Sequence, residues 1–151
     1  MWVEIYEVAR RAGAIVVNGH NHGYSRTKVL SNFRTQSVAS DQRTIRPGRS
    51  AAITSALGGG PIHVVKWARV RAQKHWAAMH ASSHGVLVCD LQHVSIANIA
   101  QRRNKQISGQ LHCQFDTLDS ASGSQTFDRS PHAVDSFTYR FPKQYGSASD
   151  N

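Results

Sequence analysis

Two histidines one residue apart, His20 and His22, stand in "AIVVNGHNHGYSR" (residues 14–26), flanked by Gly19 and Gly23 and followed by Tyr24 and Arg26. Imidazole is a common ligand for zinc, iron and other first-row metals. In an extended segment, residues i and i+2 project to the same side about 6–7 Å apart, so His20 and His22 are expected to address one site. A two-metal centre has its ions about 3.5–4 Å apart, and such a pair gives one histidine to each ion. The two glycines take away side chains that would crowd it. An HxH pair also arises by chance in a chain with nine histidines, so the pair alone leaves metal binding and an ordinary polar loop equally open.

Other groups carry weaker signals. Arg26 either pairs with a carboxylate or approaches a phosphate as a substrate-binding residue. His63, just after "GGG" at 58–60, is either an ordinary loop histidine or a second substrate-binding group that holds phosphate or protonates a leaving group. His80 and His84 have the spacing to share a helix face and bind metal, with no HExxH-type glutamate beside them. Tyr24 reads as packing beneath the loop, and Ser25 has no triad pattern around it. Asp41, Asp90 and Asp116 are the nearest candidates for extra ligands, and nothing in their spacing aims them at His20.

The elements that must position the pair follow from periodicity. Ile5, Val8, Ala9 and Ala12 recur at helical spacing from Trp2 to Ala12, and Gly13 stands where a left-handed terminator belongs. "AIVV" is too short for a helix and rich in β-branched residues, so a buried strand is expected to end at Asn18. The histidine motif then forms a loop at that strand's carboxyl end, where open α/β sheets place ligand sites.

Residues 31–50 read as an exposed polar connection with a turn at "RPGR" (46–49), and "SAAITSAL" (50–57) as another strand. The stretch 63–79 reads as an amphipathic helix or an ordered loop. "HGVLVCDLQ" (84–92) and "GQLHCQFDTL" (109–118) form the best strand pair, joined by 93–108. If they pair antiparallel, Cys89 and Cys113 come close, although register is not fixed by sequence. After Asp119 the chain turns to Ser, Asp and Gly, with one strand-like island, "SFTYRF", so a polar, partly disordered tail is expected over 121–151.

Composition sets the outer bounds. A chain of 151 residues with 40% hydrophobic content supports one domain with a core. Eighteen Lys plus Arg against nine Asp plus Glu give a formal charge of +9, which favours anionic substrates or polyanionic partners. The basic residues are scattered as small groups, leaving solvated faces and an anion-binding surface as alternatives. Two cysteines allow one bridge and neither a zinc site nor a disulfide framework. No stretch has the roughly 20 apolar residues that span a bilayer, and "MWVEIYEVARR" lacks the basic start and apolar core of a secretory signal. The compartment is left open.

Residues Trp2 to Arg26 resemble the last metal-binding block of the calcineurin-like metallophosphoesterases, the superfamily that includes purple acid phosphatases. In that family a helix leads through a "GA" turn into a hydrophobic strand and a GHxH loop, often followed by an aromatic residue and an Arg. "ITSALGGGPI" resembles the Gly-rich strand that follows, and "HGVLVCDL" with "QLHCQFDTLD" the closing β-hairpin. The resemblance covers residues 2–120, its specific part being the first 25.

It implies an α/β fold: the C-terminal part of an αββα metallophosphoesterase sandwich, with a mixed sheet and a closing β-hairpin. It also implies dinuclear hydrolysis of phosphate esters, with His20 on one metal and His22 on the other. The two divalent or trivalent ions (Zn, Fe or Mn) of the complete domain supply the attacking hydroxide and hold the developing charge. The family's earlier DxH, GD and GNH(E/D) blocks do not occur in this chain. Two imidazoles do not fill two coordination spheres. Residues 1–120 are therefore expected to be the C-terminal half of such a domain, inactive alone, with a missing N-terminal half as partner and an exposed sheet edge where it belongs. The alternative is a non-catalytic basic module binding nucleic acid or another polyanion.

Overall fold

The computed structural model describes residues 2–62, 73–97, 106–117 and 132–142. The chain opens with helix α1 (Trp2–Ala12), as its periodicity predicts, and α1 ends on Gly13 at φ 70°. The Gly13 amide bonds the Arg10 carbonyl at 3.0 Å and the Ala14 amide the Ala9 carbonyl at 2.8 Å, the paired bonds of a Schellman cap. Four strands follow: β1 (Val16–Asn18), β2 (Tyr24–Thr27), β3 (Leu30–Asn32) and β4 (Ser37–Val38). After them come β5 (Ala52–Ser55), β6 (Trp76–His80), β7 (Gly85–Ala97), β8 (Gln106–Thr117) and β9 (His132–Phe141).

These strands make a mixed four-stranded sheet of order β1-β5-β2-β6, a small β3-β4 hairpin, and an antiparallel sheet of order β7-β8-β9. In the mixed sheet β1 runs parallel to β5, whereas β2 is antiparallel to both β5 and β6. Most of the described chain is strand, with α1 its one helix. The mixed sheet and closing hairpin expected from the sequence are present, the hairpin being enlarged by a third strand.

Alternation along β2 decides how the layers stack. Tyr24 contacts the antiparallel sheet through Phe115, while Thr27 lines a pocket with the α1 residues Val3 and Tyr6 on the other side. The core lies between the two larger sheets: Tyr24, Val29, Ile45, Ile53 and Leu57 meet Cys113, Phe115, Phe137 and Tyr139. Burying each large apolar side chain of this kind contributes roughly 1.5–3 kcal/mol. Along β8, Cys113 and Phe115 point inward and alternate with His112, Gln114 and Asp116, as read from the sequence. Cys89 and Cys113 are directly opposed in the β7-β8 register and form a disulfide with a Cα separation of 4.1 Å.

Several expectations change. The apolar stripe of α1 does not pack inward: Ile5 is 60% and Val8 65% exposed, while Glu7 is buried. The helix docks through polar groups. Glu7 accepts from Arg10 (2.7 and 2.9 Å) and from the Phe33 amide (2.6 Å), and the Tyr6 hydroxyl accepts from Asn18 Nδ2 at 2.9 Å.

The connection over 31–50 is not merely exposed, because it forms a short hairpin and drives Ala39 and Ile45 into the core. Residues 76–80 are strand rather than helix, since β6 completes the edge beside β2, and 63–72 lie outside the described residues. β7 and β8 run on through 93–97 and 106–108, stretches read as a connection. The boundary placed at residue 120 does not detach β9, which pairs along β8 and buries Phe137 and Tyr139. No helix among the described residues is long and apolar enough to cross a membrane.

At Gly13 an added Cβ would stand 2.7 Å from both the Arg46 carbonyl carbon and the Pro47 nitrogen. A left-handed L-residue alone costs about 1–2 kcal/mol, and this backbone clash adds to it. Gly13→Ala is expected to lower stability by at least ~2 kcal/mol, some 4–8 °C in Tm for a chain this size. Thermal unfolding followed by circular dichroism measures it.

Candidate functional site

The histidine loop occupies residues 19–23, between the carboxyl end of β1 and the start of β2. Both of its ends are anchored. Asn18 donates to Tyr6 and accepts from the Thr54 hydroxyl at 2.8 Å, and the Gly23 carbonyl accepts from the Ala56 amide at 3.2 Å. The loop therefore sits where β1 and β5 both end, beside the glycine run at 58–60.

Within the loop the backbone is not extended. The Asn21 amide bonds the Gly19 carbonyl (3.1 Å) and the Gly23 amide bonds the Asn21 carbonyl (2.7 Å), so each histidine is the central residue of a three-residue turn. His20 has φ 77°, the value of the rarer and strained γ-turn. The i, i+2 argument that set both imidazoles on one side of an extended segment does not apply to this conformation. His20 is exposed and His22 half-buried.

His22 is the better defined of the two. Its Nδ1 bonds the Pro61 carbonyl, and because a carbonyl only accepts, Nδ1 is the donor of that bond. Metal-ligating histidines characteristically donate their second nitrogen to such a carbonyl. The ring lies against Gly60, where an added Cβ would fall 2.8 Å from Cε1. Gly19 and Gly23, expected to relieve crowding, have only ordinary contacts at 3.6–3.8 Å at the same test; Gly60 has that role.

His84 enters from the turn between β6 and β7, its Nε2 bonding the Gly60 carbonyl at 3.0 Å. Gly60 and Pro61 thus present consecutive carbonyls to two histidines from different parts of the chain. His80 ends β6 and bonds Ser83 Oγ at 2.9 Å, so His80 and His84 do not share a helix face. His63 lies outside the described residues.

The candidate carboxylates are occupied elsewhere. Asp41 accepts from the Arg43 amide, Asp90 from Gln92 and Asp116 from Gln114. Among the described residues no group of three or more His, Cys, Asp or Glu side chains is placed to hold a metal ion.

Arg26 resolves its two alternatives in favour of the carboxylate. Its Nε and Nη2 bond the two oxygens of Asp135 at 2.8 and 2.9 Å, its guanidinium carbon lies 4.2 Å from the Phe137 ring centre, and Nη1 reaches the Tyr139 hydroxyl at 3.5 Å. The group is enclosed between the two larger sheets and is not offered to the loop. Tyr24 donates to the same carboxylate at 2.6 Å and stacks on Phe115 with ring centres 3.9 Å apart. Burial pushes the Asp135 carboxyl upward, but Arg26 and Tyr24 outweigh it and hold its pKa below the ordinary value. The Tyr24 phenol moves the other way, raised by burial and then by Asp135.

Asp135 went unread because it lies in the stretch taken as tail, 109 residues from Arg26. Its "DSFTYRF" context, alternating Phe137 and Tyr139 at period two, was the available signal. A separate pocket of about 250 Å³ opens on the α1 side of the mixed sheet, lined by Tyr6, Asn18, Phe33, Thr54, His75 and Trp76 among others. None of His20, His22 or Arg26 reaches it.

Breaking a buried ion pair by removing one charge typically costs about 3–5 kcal/mol. Asp135→Asn is therefore expected to lose at least ~3 kcal/mol of stability. The folded-state pKa of Asp135 is depressed, so its contribution is complete above the unfolded value near ~4 and fades as pH falls through the folded one. Between about pH 4 and pH 2 the unaltered chain should lose more stability than Asp135→Asn does. Urea unfolding at a series of pH values checks both.

The chain matches no known protein family, no curated protein and no solved structure, so the reading of the loop rests on its own residues and geometry.

Proposed function

We propose that this chain carries one ligand-bearing loop of a metal-dependent phosphoesterase, with His20 and His22 as metal ligands and the remaining ligands supplied by polypeptide that completes the sheet. The observation that carries the reading is the His22–Pro61 contact: the ring is held through Nδ1 by a backbone carbonyl, at the carboxyl end of β1. The strained backbone at His20 adds to it, since such conformations persist at ligand and active sites when their surroundings hold them.

The described residues do not by themselves fit a metal centre. Two imidazoles fall short of the three protein ligands that an open catalytic site needs. Two features leave room for a completing segment. Among the described residues β1 pairs on one side only, with β5, and Val17 on that edge strand is 62% exposed. The substrate class that suits the basic chain is an anionic phosphate ester. Neither Arg26 nor the described histidines outside the loop are assigned to it.

Zinc and manganese binding, measured by calorimetry, and hydrolysis of an aryl phosphate are the tests, on this chain alone and joined to its completing half. The chain alone is expected to bind weakly and to be inactive. In the completed protein His20→Ala and His22→Ala should each lower metal affinity and activity at least tenfold. Gly60→Ala, which displaces the His22 ring without removing it, should cost about 10–100-fold in affinity. Unchanged metal affinity in both histidine variants of an active protein would overturn the ligand assignment.

A further inference from the structure

The end of the mixed sheet opposite the histidine loop gathers arginines that the sequence scatters. The turn at 46–49 closes through the Arg46 and Arg49 backbones, and its Gly48 exchanges bonds with Arg10: amide to carbonyl at 2.9 Å, and Arg10 Nη1 to the Gly48 carbonyl at 2.8 Å. That fixes the C-terminus of α1, with Arg11, against the turn. From the other side β9 joins: the Arg140 amide bonds the Arg43 carbonyl at 2.7 Å, and the Ile45 amide bonds the Arg140 carbonyl at 2.9 Å. Three segments spread along the chain from Arg11 to Arg140 thereby bring Arg11, Arg43, Arg46, Arg49 and Arg140 to one end of the molecule.

Arg11, Arg43, Arg46 and Arg140 are exposed and Arg49 half-buried. Arg10, by contrast, is neutralised by Glu7 at 2.7 Å. The acidic group facing this set is Asp41, held below the usual carboxylate range by the Thr44 hydroxyl and the Arg43 amide, with the Arg49 charge adding to them. Among the described residues five arginines, rather than lysines, thus gather here with the Asp41 carboxylate beside them. A planar guanidinium binds phosphate oxygens through two parallel N–H bonds, which a point-charge ammonium does not. No large apolar side chain within 43–49 is exposed here; the exposed Val8 lies one turn before Arg11 on α1.

We propose that this arginine end is a docking surface for the phosphate backbone of a nucleic acid, bound without base readout. Charge complementarity suits it, since a duplex carries about one phosphate charge per 1.7 Å of axis. Among the described residues gathered here the side chains are arginines with no aromatic platform among them, so contact is with the backbone. The inference is independent of the histidine loop: it needs neither a metal nor hydrolysis.

The test is fluorescence anisotropy of the full chain with labelled mixed-sequence 20-mers, duplex and single-stranded, from 50 to 200 mM salt. Four or five phosphate contacts predict a log–log salt slope near ~−4 and a loss of roughly a hundredfold or more across that range for the duplex. Arg43→Gln/Arg46→Gln/Arg140→Gln, all at exposed positions, should weaken binding more than tenfold at 100 mM salt and reduce the slope by about 2–3, with an unchanged Tm. The comparison at equal charge sets Arg46→Gln alone, which should weaken binding severalfold, against Arg34→Gln in the β3-β4 turn, paired with Glu4, which should stay within twofold of the unaltered chain. The proposal is overturned by a salt-independent affinity, by a triple variant that binds as well as the parent, or by Arg34→Gln costing as much as Arg46→Gln. Binding to anionic vesicles with none to either oligonucleotide would also overturn it.

Discussion

The pairing of Arg26 with Asp135 is the constraint on which the rest of the structure leans. A guanidinium enclosed between two sheets requires a carboxylate within hydrogen-bond reach, and among the described residues the strand that brings one is β9, at the far end of the chain. Because Asp135 also accepts from Tyr24, two alternate residues of β2 are tied to the same oxygen atoms. Their side chains must then face the antiparallel sheet, which sends Ser25 and Thr27 to the α1 side. A one-residue slip of β2 would reverse both faces at once and bury a charge against the helix. Such a pair gives little net stability over an apolar substitute; its effect here is to fix register and, one residue upstream of Tyr24, the point from which the histidine loop departs.

α1 shows where periodicity misleads. Its boundaries were legible: the apolar spacing gave the helix, and Gly13 gave its end through a cap that only a left-handed residue makes. The face was not. Ile5 and Val8 define an apolar stripe, yet the helix is held by Tyr6, Glu7 and Arg10, each bonded to a different part of the fold. Sequence amphipathicity reports which face wants to leave water, not which one the rest of this chain covers. When three specific polar contacts are geometrically available, they set the rotation, and the apolar stripe stays outside unless something else meets it.

The sheets were more readable than the site. Period-two alternation in "GQLHCQFDTL" found the inward face of β8 and, with its partner strand, brought Cys89 opposite Cys113 as one of the registers left open. "SFTYRF" was seen as strand-like, but its polar surroundings hid that it closes the core. The candidate site depends on contacts with no local signature: Pro61 is 39 residues from His22, and Asp135 is 109 from Arg26. Even the short-range argument about the histidines assumed an extended backbone, and the strand had already ended at Asn18. The close approach of the His22 ring falls at Gly60, within the glycine run at 58–60.

The conformation of the loop follows from how its two ends are held. Asn18 is fixed to Thr54 of β5, its partner in the β1-β5 pairing, and Gly23 to Ala56, the residue after β5, just beyond the Tyr24–Ser55 pair of β2 and β5. Four residues must then reverse the chain between adjacent anchors, and two consecutive three-residue turns do so at the expense of a positive φ on His20. An asparagine or glycine there would adopt that backbone with less strain. The sequence instead puts glycine at 19 and 23, where the structure makes no such demand, and histidine at the strained centre. A histidine at that strained centre, beside a second histidine held by a backbone carbonyl, is accounted for under the proposed reading by what imidazole nitrogen does and not by what the turn requires.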